Sequence, residues 1–207
     1  MHQKLPLEVG MDISVITRAG AKPFQRFASG YCTLAFAQKT DICHQIQRHA
    51  MVLWDEVFEE VSANYPDVQT RRMLVDAMAA RFVTDPESID TVAVTNHHAD
   101  ALSDLATVLS GSLCLAPTGN INPERKTPSM FEPIHGSAFD ITGHGVANPL
   151  GVIRSVMLML DHLGESEAAA QLLATIETVT SQGNTLPRDL GGQSGTDEVT
   201  KVVCNAL

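Results

Sequence analysis

Short runs of β-branched residues alternate along this chain with longer segments of helical periodicity. Residues 12–17 read Asp-Ile-Ser-Val-Ile-Thr and residues 91–95 read Thr-Val-Ala-Val-Thr, and both runs are typical of strands. Helical spacing follows each run, over residues 24–38 and residues 96–109. Such alternation places helices against a sheet, so we predict an α/β class with a largely parallel or mixed sheet.

The clearest helix signal is an amphipathic stripe within residues 51–64. Asn96 has the residue type of an N-cap for the helix that follows it. Residues 149–163 are apolar almost all round, which predicts a buried helix. Further helices are predicted over residues 71–83, 165–181 and 196–206. The apolar side chains of the stripe are Val52, Trp54, Val57, Phe58 and Val61.

Residues 111–149 are rich in Gly, Pro, Asn and Ser and show little periodicity. A long irregular stretch in a compact domain is usually functional, so we expect ligand contacts there. Glycines at 136, 143 and 145, with Ser137, would let backbone N–H groups approach a phosphate, and Asp140 could accept hydrogen bonds from ribose hydroxyls. The chain has neither a G-x-G-x-x-G fingerprint nor a P-loop, and the composition alone fits a plain surface loop equally well.

Two acidic residues are spaced as a possible metal site. Asp100 and Asp104 lie four residues apart in a predicted helix, which places both carboxylates on one face near its positive end. Hard oxygen ligands suit Mg²⁺ or Mn²⁺, although two solvated acids would show the same spacing. The adjacent His97 and His98 diverge by about 100° on a helix and cannot easily share one metal. We therefore interpret both histidines as surface groups or as groups that contact the metal ligands without binding the metal.

Charge and hydropathy exclude two classes of partner. The 207 residues carry 14 Lys plus Arg against 24 Asp plus Glu, a formal net charge of -10, which opposes binding to a polyanion. No apolar run approaches the roughly 20 residues needed to cross a bilayer. The residues after Met1 resemble neither a secretory signal nor a transit peptide. We therefore expect a cytoplasmic protein with no nucleic-acid partner and no membrane partner.

The four cysteines are widely scattered. Their spacing fits neither a disulfide framework nor a zinc site, so we expect reduced thiols. Cys32, Cys114 and Cys204 are predicted to be small buried hydrophobic residues. Cys43 is treated separately below.

One continuous motif resembles a known family. The motif runs from Glu132-Pro-Ile-His135-Gly136-Ser137-Ala138 through Asp140 and Gly145 to Ala147-Asn148-Pro149. It is similar to the nucleotide-binding loop of the isocitrate/isopropylmalate dehydrogenase family. Residues 116–125 and 51–56 look most like its tartrate/D-malate dehydrogenase branch. The similarity extends from about Glu8 to the C-terminus and includes Asp189-Leu190-Gly191-Gly192.

The resemblance implies an isopropylmalate dehydrogenase-like fold without its N-terminal part. It implies a small or dimerisation subdomain over about residues 8–90 and a nucleotide- and metal-binding part over about residues 91–207. It also implies NAD- and Mg²⁺- or Mn²⁺-dependent oxidative decarboxylation of a 2-hydroxy diacid such as tartrate, D-malate or 3-isopropylmalate. A homodimer with a shared active site is the implied assembly.

Site residues follow from the same resemblance. Asp100 and Asp104 match two metal-binding aspartates of the family, and Asp76 within Val-Asp-Ala matches a third that the neighbouring subunit supplies. Asp140 matches the position that holds the adenosine ribose, where a carboxylate accepts the 2′-OH and repels a 2′-phosphate. NAD is therefore expected in preference to NADP. The implied NAD-binding residues are Glu132, His135, Gly136, Ser137, Ala138, Asp140, Ile141 and Asn148.

Departures from the family pattern leave a second hypothesis open. Cys43 stands where the family has a lysine that takes part in proton transfer, and Lys39 lies four residues too early, so no catalytic residue is assigned. In the family, substrate-clamping arginines and a proton-transfer tyrosine lie ahead of the position matching Met1. The chain is thus expected to be the C-terminal part of such an enzyme, either active in a complete site or an inactive nucleotide-binding or dimerisation module.

Overall fold

The computed structural model describes residues 15–34, 39–44 and 50–207. The chain divides into two compact units, Met1–Ala101 and Leu102–Leu207, and each is considered by itself. No helix within the described ranges is long and apolar enough to cross a membrane.

The first unit contains a three-stranded parallel sheet. The strand order is β2-β1-β3, so β1 is the central strand, and its Ile42 lies opposite Arg72 of β2 and Ala93 of β3. All strand connections are helical, which is the arrangement that parallel strands require. In chain order the elements are α1 Arg18–Leu34, β1 Lys39–His44, α2 Ala50–Ser62, β2 Gln69–Leu74, α3 Val75–Thr84, the 3-10 turn Pro86–Ser88, β3 Thr91–Val94 and the start of α4 Asn96–Leu109.

Helix α2 forms the core of this unit, as its amphipathic stripe predicts. Trp54, Val57, Phe58 and Val61 are all buried, and the Trp54 ring lies 5.7 Å from the ring of Phe24 on α1. Val52 was predicted on the same stripe, but its side chain is 52% exposed. Residues two apart on a helix point in nearly opposite directions, so Val52 and Trp54 cannot both face the core.

Two predictions for the first unit differ from the structure, and a third lies outside the described residues. Of the strand predicted over residues 12–17, residues 15–17 are not in a strand and the rest lie outside the described residues. Helix α1 begins at Arg18 rather than at residue 24, because Thr17 caps it: its carbonyl accepts the N–H groups of Gly20 and Ala21, and its Oγ1 also accepts from Gly20 at 3.1 Å. Its predicted end, residues 35–38, lies outside the described residues.

The helix predicted over residues 71–83 is a strand followed by a helix. Residues 71–74 belong to β2, and α3 begins only at Val75, because pairing with β1 overrides the local periodicity. Helix α4 has the predicted bounds, but the residue that caps it is Thr95 rather than Asn96. The Thr95 carbonyl accepts the N–H groups of His98 and Ala99 at 3.0 and 2.9 Å.

In the second unit, helix α5 packs against a two-stranded antiparallel sheet and against α6, and α6 packs against α7. Helices α5 and α6 have the predicted positions, and α7 matches residues 196–206. The core is made of Leu150, Leu172, Ile176, Val179, Val199 and Val203. The elements are the 3-10 turn Leu113–Leu115, β4 Pro117–Asn120, β5 Met130–Pro133, the 3-10 turn Phe139–Ile141, α5 Leu150–Leu163, α6 Ser166–Gln182, the 3-10 turn Arg188–Leu190 and α7 Thr196–Ala206.

Other expectations for this unit are corrected by the structure. Residues 111–149 contain the β4–β5 pair, whose four-residue strands are too short and too rich in Pro and Gly to show a period. Helix α5 is not buried all round, since Val152, Val156 and Leu163 are exposed on one face. Cys204 is exposed and Cys114 is only half-buried.

Candidate functional site

The loop after β5 reverses direction at a residue with positive φ. We call residues 135–144 the loop tip and residues 145–149 the loop base. Ala138 has φ 43°, and its carbonyl accepts the Ile141 N–H at 3.1 Å to close the 3-10 turn. Left-handed backbone is uncommon for a residue with a Cβ and marks functional turns. The tip is therefore shaped by its own backbone geometry.

Most predicted NAD-binding residues lie on the open side of the tip. Gly136, Ser137 and Ala138 are exposed, and His135 and Ile141 are half-buried. A Cβ added to Gly136 would meet nothing within 4 Å, so the space beside this backbone is open to a ligand. A phosphate group could approach the main chain closely there.

Two exposed carboxylates accompany the tip. Asp140 lies in the short 3-10 helix and Glu132 lies on β5, and both are exposed. An ionised carboxylate only accepts hydrogen bonds, and it can take two hydroxyl groups at once. The arrangement therefore suits sugar hydroxyls and disfavours an added phosphate at the same place.

Asn148 differs from the other predicted NAD-binding residues because it is buried, at 5% exposure. Its Oδ1 accepts the Leu150 N–H at 2.9 Å at the start of α5. Its Nδ2 donates to Asp189 Oδ2 at 2.8 Å. The side chain thus joins the loop base to α5 and to the segment that carries Asp189, and contact of Asn148 with the cofactor remains a prediction.

Asp189 is a residue of this site to which the sequence reasoning gave no role. Its Oδ2 also accepts a hydrogen bond from the buried Ser112 hydroxyl. Burial and then the Asp189 charge raise the pKa of the nearby Cys114 thiol, while a hydrogen bond from Ser112 opposes that rise. An acidic residue just before the Gly191-Gly192 break was the available sequence signal.

The predicted metal-binding aspartates occupy two helices. Asp100 and Asp104 lie one helical turn apart on α4 and are both exposed. Asp76 lies in the first turn of α3, where its Oδ1 accepts the Ala77 N–H at 2.9 Å. Among the described residues of one copy, no three His, Cys, Asp or Glu side chains form a metal-binding group. Two carboxylate ligands on α4 are chemically suited to Mg²⁺ or Mn²⁺.

Cys43 and the two histidines beside the possible metal site lie near the ends of two parallel strands. His97 is exposed, whereas His98 is half-buried and its Nδ1 lies 3.0 Å from Thr95 Oγ1 at the start of α4. Cys43 is in the central strand β1, opposite Val94 in the register. Ligand sites in parallel sheets lie at the carboxyl ends of the strands, and Cys43 is the next-to-last residue of β1.

Comparison with known proteins places this site in a family. The family model for isocitrate/isopropylmalate dehydrogenase matches residues 1–203. A probable tartrate dehydrogenase/decarboxylase of Agrobacterium vitis is 50% identical over 211 residues, which cover 100% of this chain and 58% of the relative. A probable tartrate dehydrogenase/decarboxylase of Bacillus subtilis is 44% identical over 97% of this chain and 56% of its own length. The chain thus spans a little over half the length of these relatives.

Solved structures agree with the sequence comparison. The crystal structure of isocitrate dehydrogenase from Methylococcus capsulatus matches with a TM-score of 0.89 and 33% identity, over 94% of this chain and 57% of that one. The TT0538 protein from Thermus thermophilus matches with a TM-score of 0.92 and 30% identity, over 100% of this chain and 42% of that one. The predicted dehydrogenase-like fold is therefore confirmed, and the chain belongs to the isocitrate/isopropylmalate dehydrogenase family.

Proposed function

We propose that this chain takes part in NAD- and Mg²⁺- or Mn²⁺-dependent oxidative decarboxylation of a 2-hydroxy diacid of the tartrate, D-malate or 3-isopropylmalate type. The observation that carries the proposal is the loop tip, which combines an open backbone at Gly136 with an exposed carboxylate at Asp140. The protein is proposed to act in the cytoplasm as a homodimer. Tartrate dehydrogenase relatives support this substrate class.

The tip residues have distinct roles in this proposal. When bound, NAD supplies the acceptor for the hydride that leaves the substrate carbon. Backbone N–H groups near Gly136 and Ser137 hold its phosphates, and Asp140 accepts hydrogen bonds from the adenosine ribose. Glu132, His135, Ala138 and Ile141 line the same surface. Asn148 is proposed to bind the nucleotide as well, and its bond to Asp189 fixes the position of the loop base.

The proposed metal site uses three carboxylates. Asp100 and Asp104 hold the ion from one copy, and Asp76 approaches from a second copy in the homodimer. The bound ion would polarise the substrate hydroxyl and carboxylate. Both α4 carboxylates are exposed, so they are accessible to an ion from solvent.

A second candidate is a family member that binds nucleotide or dimerises without turnover. Cys43 favours this candidate because it stands at the position of the proton-transferring lysine in the family. A neutral thiol lacks both the reach and the positive charge of a lysine side chain. In its nucleotide-binding form this candidate shares the nucleotide site with the dehydrogenase and differs from it only in turnover.

Calorimetric titration combined with an assay for NADH separates the candidates. NAD⁺ is titrated into the full chain with and without Mn²⁺ and D-malate, and NADH fluorescence is then followed with tartrate, D-malate or 3-isopropylmalate. Saturable NAD⁺ binding with NADH formation supports the dehydrogenase. Binding without NADH supports the non-catalytic nucleotide-binding candidate. The absence of NAD⁺ binding contradicts the dehydrogenase and leaves only a dimerisation module.

A further inference from the structure

The two parts of the nucleotide loop are held in different ways. Within the described chain, the hydrogen bonds of residues 135–144 join the tip only to itself, such as His144 N–H to the Ile141 carbonyl at 3.1 Å and His135 Nδ1 to the Gly136 carbonyl at 3.1 Å. The base, residues 145–149, is bonded to a distant part of the sequence that begins at Asp189. The position of the tip therefore depends on how the base is held.

Asp189 anchors the end of the base through two buried donors. Asn148 and Ser112 are 5% and 6% exposed, and both donate to the same Asp189 oxygen. Hydrogen bonds to an ionised acceptor are stronger than neutral ones, and a buried donor left without a partner is destabilising. Loss of the carboxylate would leave both donors without this acceptor.

Thr196 anchors the start of the base. Its backbone N–H donates to the Gly145 carbonyl at 2.9 Å, and its hydroxyl donates to the Ala147 carbonyl at 2.6 Å. A Cβ on the neighbouring Gly195 would lie 2.9 Å from the Gly145 oxygen. The two backbones therefore approach too closely for a side chain, which fixes the separation between base and α7.

We propose that Asp189 and Thr196 are positioning residues for nucleotide binding, because they hold the loop base in the geometry that presents the tip to the ligand. This inference rests on the proposed NAD site and adds two residues outside the family motif of the loop. Neither residue needs to touch the nucleotide. Their effect is to remove motion of the tip that binding would otherwise have to restrict.

The test compares four variants of the full chain with the wild type. Asp189→Ala removes the shared acceptor, whereas Asp189→Asn retains an amide oxygen that can accept from both donors. Thr196→Val removes only the hydroxyl and keeps the backbone hydrogen bond to Gly145. Glu177→Gln removes one negative charge at an exposed position of α6 and serves as the matched control.

Two readouts separate positioning from general destabilisation. Hydrogen exchange at the Leu150 and Thr196 amides, which donate to Asn148 Oδ1 and to the Gly145 carbonyl, reports opening of the base in the ligand-free protein. Exchange within α6 reports that helix independently. Calorimetric titration of NAD⁺ reports affinity. We expect the Leu150 and Thr196 amides to exchange about tenfold faster in Asp189→Ala and Thr196→Val, with α6 unchanged, and both variants to bind NAD⁺ about tenfold more weakly. Asp189→Asn is expected to recover most of both losses, and Glu177→Gln is expected to match the wild type.

The outcomes distinguish this inference from the proposed function. Wild-type affinity for NAD⁺ in Asp189→Ala and Thr196→Val would overturn the positioning role while leaving the NAD site intact. Equal acceleration of exchange in α6 and in the base, with no recovery in Asp189→Asn, would show a general structural role and would also overturn it. If the wild type itself fails to bind NAD⁺, the proposed function fails, and the inference fails with it.

Discussion

The tip and the base of the nucleotide loop are adjacent in sequence but opposite in environment. Asp140 and Gly136 of the tip are exposed, and Phe139 between them is 86% exposed. Asn148 of the base is 5% exposed and spans two partners. One loop thus contains an exposed surface that a ligand can contact and an anchored base that fixes the position of that surface.

This difference shows how a short loop can hold its ligand-binding groups in a defined position although only its base is anchored. Groups that bind a ligand must stay open to solvent, so they cannot be held by burial of their own side chains. Hydrogen bonds that Asp189 accepts and Thr196 donates supply the order at the base instead. Substitutions at the tip should therefore change binding alone, and substitutions behind the base should change stability and, through the position of the tip, binding as well.

The largest effect is expected behind the base, at Gly192. A Cβ there would lie 1.9 Å from the Leu186 carbonyl oxygen. The Gly192 N–H also donates to the Pro187 carbonyl at 3.0 Å. Because backbone must move to admit a side chain, Gly192→Ala should lower the free energy of unfolding by more than about 2 kcal/mol. Urea denaturation measures this change. A stability equal to that of the wild type would contradict the close approach.

The next effect concerns the tip carboxylate. Asp140→Asn removes the charge that accepts ribose hydroxyls and repels a 2′-phosphate, so we expect NAD⁺ to bind about tenfold more weakly. Preference for NAD⁺ over NADP⁺ should fall at the same time. Calorimetric titration with both nucleotides measures the two changes, and Glu177→Gln is the charge-matched control. Unchanged selectivity would remove Asp140 from the proposed ribose site.

Gly136→Ala separates binding from stability at the tip. Its added Cβ meets no atom of the chain within 4 Å, so the free energy of unfolding, measured by urea denaturation, should stay within about 0.5 kcal/mol of the wild type. The methyl group would occupy space beside the backbone that the nucleotide is proposed to use, and NAD⁺ affinity should drop. If affinity stays constant while stability falls, the tip and base would not differ as described.

The smallest effect is a difference in thiol reactivity. Burial and the Asp189 charge raise the pKa of Cys114, so less of its reactive thiolate is present at a given pH. Because protonation of this thiol is linked to folding, the raised pKa stabilises the folded chain below the thiol pKa of the unfolded chain. This stabilisation is lost as the pH rises through the raised pKa. Iodoacetamide labelling followed by peptide mass spectrometry should show Cys114 reacting more slowly than the exposed Cys204. Equal labelling rates of Cys114 and Cys204 between pH 7 and 9 would contradict the shielding of the Cys114 thiol.

The sequence predicted the elements whose patterns are local. Helices α2, α5, α6 and α7 and strand β3 follow from periodicity, and the tip motif predicts a ligand loop. Strand β2 was missed because pairing with β1 decides its conformation, and such pairing is not visible in a local window. Helix α1 began earlier than predicted because the Thr17 cap outweighs the glycine and proline signals.

Parts of the candidate site were also beyond local sequence reasoning. The motif placed Asn148 among ligand-binding residues, but its burial and its bond to Asp189 depend on a contact across 41 positions. Thr196 contacts Ala147 across 49 positions. Neither bond follows from residue type or spacing. Contacts at such separation arise only from the packing of α7 and the loop, which the structure supplies.

Hydrogen exchange of the wild-type chain with and without NAD⁺ tests the central claim most directly. We predict fast exchange at the Gly136, Ser137 and Ala138 amides without ligand and marked slowing there when NAD⁺ is added. The Leu150 and Thr196 amides, which donate to the base, should exchange slowly in both states. Protection elsewhere with an unchanged tip would contradict the assignment of the nucleotide site. Fast exchange of the base in the ligand-free protein would contradict the division of the loop into an open tip and an anchored base.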